Sequence, residues 1–443
     1  MLFTTDKQTL DDLNIFGKHG SNAVYHLFNR CITRGGAAIL EELFRYPLSD
    51  EKAINQRIGI IQHFAASGNS FPFNATHFDA AEAYLNNTDE RSRLTAAEHS
   101  LTKKLSNIIA VDVETQVIYK GVQAVTELLK ATRDLVSKID TAFYQAEKEA
   151  IVAIVHEPAL APVLNSSNKL SQADMIQFDS LLRFRYRDTI QKLLRHIYYL
   201  DVYISVAKVA LEHGFVFPKA MCEGRYLVKM EGVYHPYVKN AVPNTIHISP
   251  EGNVVFLTGA NMAGKSTFMK SLSIALYMAH MGFPVAARQM EFTVLDGIYT
   301  TINLPDNLGM GASHFYAEVL RVKKIAHELS LNKKLFIVFD EMFRGTNVKD
   351  AYEATIAITT AFASRTNSLF VISTHIIEAG EVLKQRCANV RFLYLPTRMN
   401  GHQPVYTYTL EEGITNDRHG MIIINNEGIL NILEAGIKKL KAV

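Results

Sequence analysis

With 443 residues, 48% of them apolar, the chain is long enough for two or three domains with sizeable cores, so a folded, soluble protein is expected and a wholly disordered one is excluded. Lysine plus arginine number 46 against 44 aspartate plus glutamate; no global field draws the molecule onto nucleic acid or membrane, and any DNA contact must be local. Cys31, Cys222 and Cys387 are scattered without the spacing of a zinc site or a disulfide framework.

The N-terminal MLFTTDKQTLDDL has neither the basic nor the apolar region of a signal peptide. The most apolar run, Ser271 to Ala287, is interrupted by His280, Gly282 and Pro284. It is too short and broken to span a bilayer, and a cytoplasmic protein with no membrane partner is expected.

Up to about residue 215 apolar residues recur at three- and four-residue steps, so the first half reads as helical. Ile118, Val122, Val125, Leu129, Val136, Ile139 and Phe143 share one seam of a helix expected from about Thr102 to Val155. At 1.5 Å per residue it would reach roughly 75 Å, the length of a lever or a coiled-coil arm. Pro158 and Pro162 stop it, and Asn165 to Met175 reads as a loop. A second helical pattern, from Ile190 through Leu194, Ile197, Leu200, Ile204 and Ala207 to Leu211, ends at Gly214, which suits a C-terminal cap. Arg183, Arg185, Arg187, Lys192 and Arg195 crowd its start, either as a solvated face or as a patch for phosphate contacts.

After Gly214, short β-branched strands alternate with helices, the pattern of a parallel sheet. Val254–Leu257, Leu335–Phe339 and Leu369–Ser373 are continuous apolar runs, as expected for strands buried on both faces. The domain boundary is expected near residues 215 to 225.

The run Gly259, Ala260, Asn261, Met262, Ala263, Gly264, Lys265, Ser266, Thr267 fits G-x-x-x-x-G-K-[ST], the phosphate-binding loop, between a buried strand and a helix. Its glycines let backbone N–H groups curl around phosphates, Lys265 adds a mobile positive charge, and Ser266 offers a hydroxyl to magnesium. The helix that follows points its positive dipole end the same way. LFIVFDE delivers Asp340 and Glu341 to the carboxyl end of a strand, where Asp340 would hold magnesium through water and Glu341 would polarise the attacking water. LFVISTH ends another strand in Thr374 and His375; a lone His is usually packed or on the surface, but at this strand tip it could sense the γ-phosphate or the attacking water.

These elements, with their neighbours, resemble the MutS mismatch-repair ATPases. TGANMAGKST is similar to that family's phosphate loop, FDEMFRGTN to its Asp-Glu-x-x-Arg-Gly-Thr segment, and STH to its Thr-His switch. Gly309 to Val319 resembles its Ser-x-Phe-x-x-Glu signature, matched by Ser313, Phe315 and Glu318, and GITNDRHGMIIINNEG resembles the passage from ATPase domain to dimer-forming helices. Asp12–Phe16, Ile32–Phe64 and the segment around Val233–Pro236 extend the likeness into the family's helical core and the entry to the ATPase.

The resemblance implies an α/β P-loop NTPase, the ABC-type ATPase of MutS, preceded by an all-α core and lever domain: residues 1–220 helical, residues 221–443 ATPase with C-terminal dimerisation helices. It implies ATP and Mg2+ as ligands, with Ser266 and Asp340 on the metal, Glu341 and His375 as catalytic groups, and Ser313, Phe315 and Glu318 contacting ATP from the partner subunit of a homodimer. By sequence alone, Ser313 equally suits a helix cap with Glu318 in the first turn. Nothing resembling the mismatch-reading and connector domains precedes Asp12, so mismatch recognition is not expected from these residues alone. Two positions depart from the family: Ala241 stands where it has an adenine-stacking aromatic, and Phe343 where it has glycine after Asp-Glu-x.

The expected function is an ATPase coupling nucleotide binding and hydrolysis to DNA, with repair proteins as further partners. A nucleotide-gated tether for a protein partner, without a DNA substrate, is the alternative. A small-molecule phosphotransferase is disfavoured by the long helices and by the lack of a recognisable acceptor pocket.

Overall fold

The structure is a computed structural model that describes residues 2–17, 22–94, 108–221, 227–302, 314–401, 403–415, 428–429 and 432–433. Ser313, the first part of the expected long helix, Cys222 and most of the C-terminal segment therefore lie outside the described residues.

The chain forms two compact units. One comprises Leu27–Arg45 and Gly59–Glu212; the other comprises Met1–His26, Tyr46–Ile58 and His213–Val443. The chain passes from the first of these units to the second between Glu212 and His213, just before the boundary expected near residues 215 to 225. Two early segments, including the Asp12–Phe16 stretch that resembles the MutS core, belong to the later unit.

In the helical unit the described residues carry helices and no strands. The expected continuous helix to Val155 is corrected. One helix covers Ile108–Val136, and a second, Gln145–Val155, follows a short 3-10 turn at Ala142–Tyr144. The apolar seam continues through the break, but Ser137 and Thr141 interrupt it with groups that bond the local backbone. Ser137 Oγ donates to Asp134 O at 2.9 Å, and Thr141 caps the 3-10 turn. Fully buried Ile139 draws the chain inward at that point, so the second helix packs against the first instead of prolonging it. The arginine cluster divides as well. Arg183 is buried within a π-helical segment, Ser180–Arg185, with two 2.8 Å bonds to Asp179 and further bonds to Ser92. It belongs to the core as a satisfied ion pair, which rules out both roles read for it in the sequence. Arg185, Lys192 and Arg195 are exposed.

In the other unit the apolar runs become strands of a six-stranded sheet: β4 (Val254–Gly259), β6 (Gly297–Thr301), β7 (Leu335–Phe339), β8 (Leu369–Ser373), β9 (Val390–Leu395) and β12 (Glu411–Glu412), numbered among all strands in chain order. Their spatial order is β12-β9-β4-β8-β7-β6, parallel except for β12. Alternate residues Val254, Phe256, Ile337, Phe339, Phe370 and Ile372 face a core completed by helices His314–Ser330, Val348–Ala363 and Glu378–Arg386. Helix Lys265–His280 packs against β4 and β6, and its buried residues lie outside that core. A second, four-stranded sheet places β5 (Gln289–Thr293) between β1 (Lys219–Met221) and β2 (Val228–Val233), with β3 (Asn244–Ile248) beyond. Among the described residues no helix is long and apolar enough to cross a membrane.

His280 closes helix Lys265–His280 from inside the core. Leu295 N donates to its Nε2 at 3.0 Å, so its Nδ1 carries the proton and donates to Leu276 O at 2.8 Å. Burial pushes the imidazole pKa down from 6.5 to about 4. The unfolded chain therefore gains a proton near pH 6.5 that the folded chain refuses until about pH 4. His280 should contribute up to roughly 3 kcal/mol above pH 6.5, lost as pH falls toward 4. Urea midpoints at pH 7 and pH 5 test this: a His280→Gln variant, less stable overall, should lose less between the two, and an identical loss contradicts the assignment.

Candidate functional site

The carboxyl ends of β4, β7 and β8 meet at one edge of the six-stranded sheet. Beyond β4 the chain turns through Gly259 (φ +151), Met262 (φ +68) and Gly264 (φ +98) into helix Lys265–His280. Left-handed backbone is nearly free only for glycine, so the two glycines match the turn they make. A Cβ at Gly264 would also lie 3.0 Å from the Tyr408 ring. The helix start has no side-chain cap, which leaves its first N–H groups to an external acceptor, and an anion suits that position.

Lys265 is buried and donates to Gly259 O at 2.9 Å and Ala260 O at 3.2 Å. Burial lowers its pKa, and the carboxylates of Glu341 and Asp340 partly counter that. The Ser266 hydroxyl donates to Asp340 Oδ2, and Ser373 Oγ donates to Asp340 Oδ1 at 2.5 Å. Glu341 has a left-handed φ of +56, and its N–H donates to Ser373 O at 3.0 Å. Its Oε1 meets His375 Nε2 at 2.6 Å, and Arg344 lies 3.6 Å from Oε2. The hydrogen bond from His375 is the main cause that holds the Glu341 pKa low, with the charges of Lys265 and Arg344 adding to it.

The strand ends thus bring together Lys265, Ser266, Asp340, Glu341 and His375, which the sequence places in three separate segments. Beside them lies a cavity of about 680 Å³ whose lining includes Val233, Asn240, Ala241, Met262, Lys265 and Thr267. Asn261, Met262 and Thr267 are exposed, and Ala263 is buried beneath the loop. Phe315 packs edge-on against Phe343 of the same chain, ring centroids 6.0 Å apart. Glu318 lines a small intrachain pocket with Asp340, Glu341 and Arg344.

Two residues at the site escaped the sequence reading. Ser373 carried a signal, a hydroxyl closing an otherwise apolar strand one step before Thr374. Tyr408 carried none: it lies beyond the hairpin of β10 (Thr397–Asn400) and β11 (Gln403–Tyr406), and its carbonyl is held by Asn244 Nδ2 at 2.9 Å. Tyr408, 45% exposed, lines the cavity that Ala241 also lines.

A mostly parallel sheet flanked by helices, with loop and acidic side chains at its carboxyl edge, defines the class as α/β. The chain matches the family models MutS domain III over residues 8–207 and MutS domain V over residues 255–442. It belongs to the MutS family. Three proteins named DNA mismatch repair protein MutS are similar to it. That of Fusobacterium nucleatum subsp. nucleatum is 30% identical over 266 residues, 57% of this chain and 29% of the relative. That of Persephonella marina is 27% identical over 276 residues, 60% and 31%. That of Streptococcus agalactiae serotype Ia is 28% identical over 271 residues, 58% and 31%. The chain thus spans about three tenths of the length of these curated relatives.

Gly264→Ala should cost roughly 1–2 kcal/mol, because it meets both an unfavourable φ and the Tyr408 ring. Adding Tyr408→Ala removes the collision but not the backbone strain, so the double variant should unfold later than the sum of the single losses. Additive losses in thermal unfolding would show that Tyr408 does not press on the loop.

Proposed function

We propose that this MutS-related chain is an ATPase that binds ATP with Mg2+ at the Gly259–Thr267 loop and couples binding and hydrolysis, in a homodimer, to engagement of DNA. The observation that carries the reading is the convergence of the uncapped helix start, Lys265 and the Ser266–Asp340 pair beside one cavity. The match to MutS domain V, that family's ATPase domain, supports it.

The hydroxyl and carboxylate oxygens of Ser266 and Asp340 are the hard donors that Mg2+ takes, so the residues fit the ion. When bound, it would neutralise charge on the phosphates. Lys265 moves its donors from two loop carbonyls to charged phosphate oxygens, which are stronger acceptors. The N–H groups opening helix Lys265–His280 bind the same oxygens. Glu341, kept ionised, accepts a hydrogen bond from the attacking water, and His375 fixes the carboxylate that does so. Tyr408 offers a ring face to a base where Ala241 has none to offer. Ser313, with Glu318, reaches the γ-phosphate of the partner's ATP, so that nucleotide occupancy becomes a subunit contact.

A protein tether without a DNA substrate is the second reading. Near-neutral net charge and the loss of Arg183 from the basic cluster favour it. ATP turnover with and without linear, mismatched and branched DNA at two salt concentrations separates them. Stimulation that fades with salt supports DNA engagement, and turnover indifferent to every DNA supports the tether.

Lys265→Ala should abolish nucleotide binding in calorimetry; wild-type affinity would refute the loop's role. Glu341→Gln should bind ATP, turn it over at least 100-fold more slowly, an order-of-magnitude expectation for a lost general base, and accumulate as a dimer. Sedimentation of that variant with ATP as monomer alone would refute the action of Ser313 across subunits.

A further inference from the structure

Asp340 has two oxygens with different partners. Oδ2 takes the Ser266 hydroxyl from the exposed loop; Oδ1 takes the hydroxyl of Ser373, a fully buried side chain at the end of β8. Ser373 also holds the next residue, since Glu341 N–H donates to its carbonyl at 3.0 Å and lies 3.3 Å from its Oγ. That N–H belongs to a non-glycine residue at φ +56, a conformation that persists only where the surroundings enforce it.

We propose that Ser373 is a positioning residue for the hydrolytic site. Its hydroxyl selects the Asp340 rotamer in which Oδ2 faces Ser266, and its carbonyl keeps Glu341 in the turn from which the carboxylate meets His375. Because Ser373 is paired into β8 opposite Leu257 of β4, it references both acids to the strand that launches the phosphate loop. The inference rests on the reading of Asp340 as the magnesium-holding group and Glu341 as the water-orienting one. A hydroxyl that merely found the nearest acceptor would affect stability alone.

The test uses the full chain with Ser373→Ala and Ser373→Thr, the second keeping the hydroxyl. Measured are kcat and KM for ATP, Mn2+ binding in the presence of ADP by electron paramagnetic resonance, and ADP affinity without metal. Removing an outer partner of a metal-holding carboxylate typically weakens metal binding or activity by about 10–100-fold. Ser373→Ala should therefore weaken Mn2+ binding and lower kcat by at least about 10-fold, with KM and metal-free ADP affinity unchanged, and Ser373→Thr should restore both. Should Ser373→Ala fail to fold, Ser373→Cys, close in size and a weak donor, takes its place with the same expectations. Wild-type Mn2+ affinity and kcat in the variant, or an equal loss of metal-free ADP affinity, overturns the proposal. If the wild-type chain itself neither binds nucleotide nor turns it over, the reading of the whole site fails, an outcome distinct from an active wild type matched by its variant.

Discussion

Parallel register is the constraint on which the site depends. β4 pairs with β8 so that Leu257 faces Ser373, and β8 pairs with β7 so that Ile372 faces Phe339. With all three strands running the same way, the segments that leave them start side by side: the glycine loop after β4, Asp340 and Glu341 after β7, and Thr374 and His375 after β8. A parallel pair cannot be closed by a hairpin, so each return needs a crossover, and the helices that provide it also bury the sheet. A slip of one residue in β8 would turn Ser373 to the opposite face and separate Asp340 from its inner partner.

The edge of that sheet is protected by residues from the far end of the chain. Thr4 runs beside Gly297 of β6, where a Cβ would lie 2.3 Å from Thr4 O, so glycine is required for the approach. Asp12, buried, accepts from Thr300 Oγ1 and Ile302 N, both at 2.8 Å. Burial alone would raise the pKa of Asp6, but hydrogen bonds from Arg321 and Lys324 hold it well below the carboxylate range. An otherwise open strand edge is covered, and the N-terminal segment becomes part of the unit that carries the site.

What the sequence makes legible follows from how local its cause is. The three buried strands are continuous apolar runs, and the glycine loop between strand and helix needs no distant partner to be recognised. Asp340, Glu341 and His375 are visible because each lies within two residues of the end of such a strand. The N-terminal clasp, Tyr408 and the role of Ser373 arise only when chain segments far apart in sequence meet, and no periodicity records them. The expectation of one long helix failed for a related reason: the seam through Ile139 keeps helical spacing, while Ser137 and Thr141 supply competing bonds that spacing does not register. Arg183 stands in a run of cations with nothing in that run to separate it from its neighbours, and only Asp179, one turn before it, takes it into the core.

The electrostatics of the site explain why no one of its parts is sufficient. Lys265 and Arg344 bring positive charge, but Asp340 and Glu341 lie among them and offset it. The N–H groups at the helix start supply attraction that carries no acid with it, and a divalent cation at Ser266 and Asp340 would convert the nearer carboxylate from a repulsive group into a ligand. On the proposed reading Glu341 would face the phosphates without a metal between, and its bonds to His375 and Ser373 hold it in place. On that reading a carboxylate held so close to an anion would serve the activation of water more than binding, so nucleotide affinity and turnover should respond to different residues of the same cluster.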